Sequence, residues 1–173
     1  MSDGTPGTGA SPEDAIPRRA VRALLRDEAD GALLLLSMRL SGWKGAHWLA
    51  PGGGLEAGET DHEGLLREVQ EETGLALPAT APAPLVWTRS VRFEWRGQWY
   101  DQQEAYHLIT VPRFTPRLDS NPDPNEIDDV LDAAWWTTEA MRRSRERFIP
   151  RAMADAVDAL AAGLPGEPID VGL

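Results

Sequence analysis

The stretch REVQEETGL, Arg67 to Leu75, places glutamates at 68, 71 and 72. On an α-helix these positions are i, i+3 and i+4, so all three carboxylates are expected on one face. Each like-charged pair at that spacing costs a helix about 0.2–0.5 kcal/mol in water, and more if partly desolvated. Arg67 can neutralise one acid, but a single arginine does not balance three. A hard divalent cation would, because Mg²⁺ takes oxygen ligands and usually keeps several waters. The alternative is a solvated acidic helix face.

The preceding residues, PGGGLEAGET, are turn chemistry throughout. Gly53 to Thr60 matches the phosphate-loop pattern G-x-x-x-x-G-K-[ST] except that Glu59 stands where the lysine belongs. A carboxylate there repels phosphate, so phosphate could approach only with cations between. Glycines also let backbone carbonyls approach a metal closely, although three in a row can equally form a plain tight turn.

Gly53, five residues, Glu59, seven residues and then Arg67-Glu68-Val69-Gln70-Glu71-Glu72-Thr73-Gly74-Leu75 resembles the signature box of the Nudix hydrolases at every fixed position. The resemblance extends weakly to Trp48–Gly52 and to Trp135-Trp136. It implies a loop–helix–loop unit on a mixed sheet in an α/β/α sandwich. It also implies Mg²⁺-dependent attack of water on the pyrophosphate bond of a nucleoside diphosphate linked to another moiety, with Mn²⁺ as an alternative ion. By that resemblance Glu68, Glu72, Glu71 and the carbonyl of Gly52 are metal ligands, and Glu71 is also a candidate base. Arg67 orients a glutamate, while Gly53 and Glu59 support the loop. The general base in this family often lies outside the box, so Glu104 and Glu126 are further candidates, Glu126 slightly favoured because it follows a long proline-broken loop. For either one an exposed structural glutamate is the competing reading. Trp43, in a Gly-rich loop, is the candidate platform for stacking on a base. A nucleotide-binding regulatory domain without turnover is the reading from a different class, and a structural cation site is a third.

These residues need elements to position them. The 173 residues are 42% hydrophobic and 26% charged, ordinary for a globular chain. Thr60 and Glu63 fit a capping box and Gly74 a left-handed stop, which predicts a helix over residues 61–73 with Leu65, Leu66, Val69 and Thr73 on its apolar face. Strands are expected over residues 18–26, 32–38, 47–49, 85–95, 99–111 and 127–136, and helices over 138–147 and 151–162. The fold class is α/β (α+β). Residues 1–16 are expected to be a disordered leader, 17–163 a single domain and 164–173 an extended tail.

The formal net charge of −11 argues against a nucleic-acid partner, and no apolar run is long enough for a membrane span. A small nucleotide is the expected partner and the cytoplasm the default location. The only basic cluster, Arg142, Arg143, Arg145 and Arg147, reads as a solvated helix face. With no cysteine, thiolate sites and disulfides are excluded. Met153, Ala156, Val157 and Leu160 form an apolar stripe that reads as an internal packing face, with a homodimer contact left open.

Overall fold

The computed structural model describes residues 7–122 and 129–172. Its strands are β1 (Ile16–Asp27), β2 (Leu33–Arg39), β3 (Ala46–Leu49), β4 (Leu85–Trp95), β5 (Gln98–Val111), β6 (Val130–Trp136), β7 (Phe148–Ile149) and β8 (Ile169–Asp170). The helices are α1 (Asp61–Thr73), α2 (Thr138–Arg143) and α3 (Met153–Ala161). The order along the mixed sheet is β7-β3-β2-β1-β5-β4-β8, with β6 on the other flank of β2.

β1 runs parallel to β5 along its whole length, but meets β2 only near their shared turn, where Arg26 pairs with Leu33. Beyond that point β2 diverges, flanked by β3 and β6. The edge of β1 left open is taken by the Gly-rich loop: Ala23 N–H donates to Pro51 O at 2.7 Å, Val21 N–H to Gly53 O at 3.0 Å and Leu55 N–H to Arg19 O at 2.9 Å. The loop is thus held by strand-like hydrogen bonds in the fork of the sheet, which satisfies buried backbone donors and fixes its position.

The period-two alternation of β1 sends Val21, Ala23 and Leu25 to one face and Leu24 to the other. On the first face Leu65 and Val69 of α1 complete a core with Leu34, Ile109 and Val111. On the second, Met141 of α2 and Met153, Val157 and Leu160 of α3 pack on Leu33, Leu35, Trp87 and Leu108. Helices cover both faces, the expected three-layer arrangement. The apolar stripe of α3 is accordingly spent inside the chain.

Helix α1 has the expected bounds. Thr60 accepts from Glu63 N–H and the Glu63 side chain accepts from Thr60 N–H, while Gly74 closes the helix at φ 75°. The β4–β5 hairpin turns at Arg96 and Gly97, with φ 53° and 80°, the left-handed pair that matches strand twist in a two-residue turn. Other expectations need correction. The helix expected to reach residue 147 ends at Arg143, and β7 follows because Phe148 and Ile149 pair with Trp48 and Leu49. The arginine cluster is therefore split: Arg142 bonds Asp155 and Asp158, Arg143 pairs with Glu139, and Arg147 turns to a different surface. Within the stretch expected to be a disordered leader, Pro12–Asp14 form a 3-10 turn and Trp99 N–H donates to Gly9 O at 2.8 Å. The tail contributes β8, paired with Trp87 and Thr88. Among the described residues no helix is long and apolar enough to cross a membrane.

Candidate active site

The Gly-rich loop and α1 meet at Gly52 and Gly53. Gly52 is buried at φ 142°, and a Cβ there would fall 2.0 Å from Val21 O. Only glycine permits so close an approach of loop to strand. Its N–H donates to Glu72 Oε2 at 2.6 Å. A Cβ on Gly53 would lie 2.6 Å from Glu68 Oε1, so that carboxylate rests directly on the glycine. Glu68 and Glu72, one helical turn apart, thus face the same two glycines, and both are buried.

Glu71 sits at the outer margin of the shared helix face, beside Glu68 on the same Arg67 nitrogen. It is partly exposed and bonds Arg67 Nη1 at 3.2 Å, whereas Glu68 and Glu72 line the cleft. Arg67 gathers more acids than one. It holds Glu59 through both carboxylate oxygens at 2.9 Å, reaches Glu68 Oε1 at 2.8 Å and donates to Gly54 O at 3.1 Å. Glu59 in turn accepts from Glu56 N–H at 2.9 Å, closing the loop on itself. A bidentate, charge-assisted pair of this kind fixes direction as well as charge. Burial pushes the Glu68 carboxyl above its ordinary range, and Arg67 only partly offsets this.

The floor of the cleft comes from β1, β4 and β5. Glu104, for which the sequence allows an exposed structural acid or a base, is only 4% exposed. It accepts from Arg22 at 3.1 Å, Arg89 at 2.8 Å, Gln102 at 2.9 Å and Tyr106 at 2.9 Å. Burial pushes its carboxyl up, but the Arg22 and Arg89 guanidiniums and these hydrogen bonds outweigh it and hold the pKa at about 2. So acidic a group is a weak base at neutral pH. Arg22 also donates to Gly52 O at 2.8 Å and Ala50 O at 3.3 Å, so the buried cluster ties the glycine loop to β5. Glu126 lies outside the described residues.

Trp43 stands 41% exposed on the rim, edge-on to His47. Phe93 and Trp95 of β4 line the same cleft, and Arg18 lies 5.8 Å from the Trp95 ring. Arg22, Arg89, Phe93 and Trp95 escaped the sequence reading. One signal was present: Gln102, Glu104 and Tyr106 alternate in register with the apolar Leu108, and polar side chains on a core face require partners.

The donors around Gly52 and Gly53 are carboxylate and carbonyl oxygens, the type a hard divalent cation takes, and burial of Glu68 with a raised pKa leaves its charge under-compensated. By donor chemistry the residues fit Mg²⁺ or Mn²⁺. Among the described residues no three acidic or imidazole side chains already converge as a metal cage.

A model of the NUDIX domain matches residues 16–157. The chain is 33% identical over 97 residues to an uncharacterized Nudix hydrolase, orf19, of Rhodococcus erythropolis, covering 56% of this chain and 49% of that protein. It is 31% identical over 113 residues to the nucleoside triphosphatase NudI of Enterobacter sp. (strain 638), covering 65% and 77%. It thus spans about half the length of the first relative and three quarters of the second. Among solved structures, the MutT protein from Methanosarcina mazei Go1 superposes with a TM-score of 0.59 at 22% identity, over 86% of this chain and 96% of that one. The NUDIX domain of Shewanella oneidensis NrtR gives 0.59 at 16%, over 83% and 87%. At those identities the two structures speak for the fold.

Proposed function

Since this chain belongs to the Nudix family, we propose that it hydrolyses the pyrophosphate bond of a nucleoside diphosphate linked to a second moiety, using Mg²⁺ or Mn²⁺. The observation that carries the reading is the convergence of buried Glu68 and Glu72 on Gly52 and Gly53 at one cleft. Glu68, Glu72 and the Gly52 carbonyl would hold the cation, with Glu71 beside them. The cation supplies charge shielding for the diphosphate and acidifies water. Arg67 aims Glu68 and Glu71 and, through Glu59, keeps the loop closed. Glu71, partly exposed and not locked between two guanidiniums, suits proton transfer from water better than Glu104; Glu126 remains a candidate outside the described residues. Glu104 acts as an anchor. Trp43, Phe93 and Trp95 offer aromatic faces for a base.

The nucleotide class is supported by the relatives: one is a nucleoside triphosphatase, and the Shewanella domain was crystallised with ADP ribose. A phosphate-release assay over ADP-ribose, dinucleoside polyphosphates, nucleotide sugars and oxidised nucleoside triphosphates tests the proposal, run with Mg²⁺, Mn²⁺ or chelator. Turnover of at least one class that requires metal is expected, falling roughly 10²-fold or more in Glu68→Gln, as when a group stabilising developing charge is lost. Nucleotide binding with no turnover under any metal would overturn it in favour of a binding domain.

A further inference from the structure

Next to the catalytic cleft lies a second one with the opposite character. Lys44, Arg92, Arg147 and Arg151 line it, with Glu146 as its only carboxylate among the described residues. The two clefts share Trp43, Arg89, Val91 and Ile149, so they are continuous past the Trp43 rim. In a chain of net charge −11 this is an inversion of local sign, and cations along concave walls focus a field that selects anions.

The cations are also arranged, not merely clustered. Arg147 donates to Lys44 O, and its own carbonyl accepts from Trp48 N–H at 2.7 Å, which stitches the 42–45 loop to the segment before β7. Glu146 is engaged by Trp48 Nε1 at 2.9 Å. Arg92 shares Asp101 at 2.9 Å, both partners well exposed. The side chains of Lys44 and Arg151 are exposed and make no hydrogen bond or ion pair among the described residues. Below them His47 is buried; burial, together with Arg147 and Arg151, pushes its pKa down, so the imidazole adds no charge at neutral pH and the guanidiniums set the field.

We infer that this basic cleft is a second anion subsite, which takes a phosphate group carried by the substrate outside its scissile diphosphate. This rests on the hydrolase reading for the words "substrate" and "scissile", but not for the site itself. The favoured substrates are then pyrophosphates with an additional phosphate on one moiety. Lys44 and Arg151 supply charge left unspent by the fold, and Arg147 supplies a positioned one.

Two measurements separate the subsite from the hydrolase reading. The first is calorimetric binding of inorganic tripolyphosphate in metal-free buffer to the wild type, to Lys44→Glu/Arg151→Glu and to the milder Lys44→Ala/Arg151→Ala. Dissociation constants roughly tenfold higher in the charge-reversed variant, with the alanine variant between, are expected from losing two charge-assisted contacts. Equal binding in all three overturns the inference, whatever the enzyme hydrolyses. The second compares NADPH with NADH and coenzyme A with its dephospho form, pairs that keep one pyrophosphate and differ by one phosphate. The wild type should show a lower KM for the phosphorylated member, and the charge-reversed variant should lose that preference while hydrolysing the other member as before. A preference that survives in the variant overturns the inference. If neither pair is hydrolysed while tripolyphosphate binding still depends on Lys44 and Arg151, the anion site stands and its assignment to a substrate phosphate is overturned, while the hydrolase reading is decided separately by the wider substrate panel.

Discussion

At the residue scale, the role proposed for Glu68 runs against stability. Its folded pKa is raised above the unfolded value by burial, so the folded state holds the proton more tightly. The stability this gives is fully present below the unfolded pKa and is lost as pH rises through the folded one, which leaves a penalty at neutral pH without metal. Glu68→Gln removes that penalty while keeping shape and the hydrogen bond to Arg67. It should raise the melting temperature of the metal-free protein at pH 7 even as turnover falls; a lower melting temperature would contradict the burial argument. Gly52 offers the opposite case, since it gains nothing from replacement. A Cβ 2.0 Å from Val21 O forces loop and strand apart, at a position whose φ of 142° already disfavours other residues. Gly52→Ala should cost more than about 2 kcal/mol in denaturant unfolding and loosen the grip of Glu72 on the loop.

At the scale of elements, the site hangs on the buried cluster that joins β1, β4 and β5. Glu104 answers both Arg22 and Arg89, and Arg89 also donates to Gly172 O at 3.0 Å, bringing in the chain beyond β8. Removing the carboxylate strands the buried Arg89 guanidinium and the partly buried one of Arg22, so Glu104→Gln should destabilise by about 3–5 kcal/mol. The folded pKa of about 2 lies below the unfolded value of 4.5, so this stability is complete above the unfolded pKa and drains as pH falls towards 2. Acid unfolding curves of wild type and variant should therefore converge between pH 4.5 and 2, while at pH 7 they stay apart. Little of this cluster was legible in sequence, because its members come from strands separated by up to 82 residues and meet only through sheet pairing. Helix α1, by contrast, was readable end to end, because Thr60, Glu63 and Gly74 act within a few residues of themselves. Strands β7 and β8 are two residues each and exist by pairing with Trp48-Leu49 and Trp87-Thr88, information no local pattern carries. The burial of Glu104 is hidden for the same reason: alternation marks two faces of β5 but does not say which meets charged partners.

At the scale of the whole molecule, the net charge and the acidic cleft would turn the proposed cation binding into a stability term. With a net charge of −11 the chain repels itself, and part of that repulsion is concentrated where Glu68 and Glu72 are withdrawn from water. Any cation that binds the folded state but not the unfolded chain adds RT ln(1 + [L]/Kd), about 2.7 kcal/mol at a hundredfold excess over Kd. For a protein of this size that is on the order of 5–10 °C in melting temperature. Ordinary salt also screens the general repulsion, so the comparison must be made at matched ionic strength. In a titration with MgCl₂ against NaCl, the wild type should gain several degrees specific to Mg²⁺, rising with the logarithm of its concentration once the site is saturated. Glu68→Gln/Glu72→Gln should start from an equal or higher melting temperature and follow the NaCl curve under both salts. If both proteins respond to Mg²⁺ alike, the stabilisation belongs to the surface at large and the two buried glutamates hold no ion.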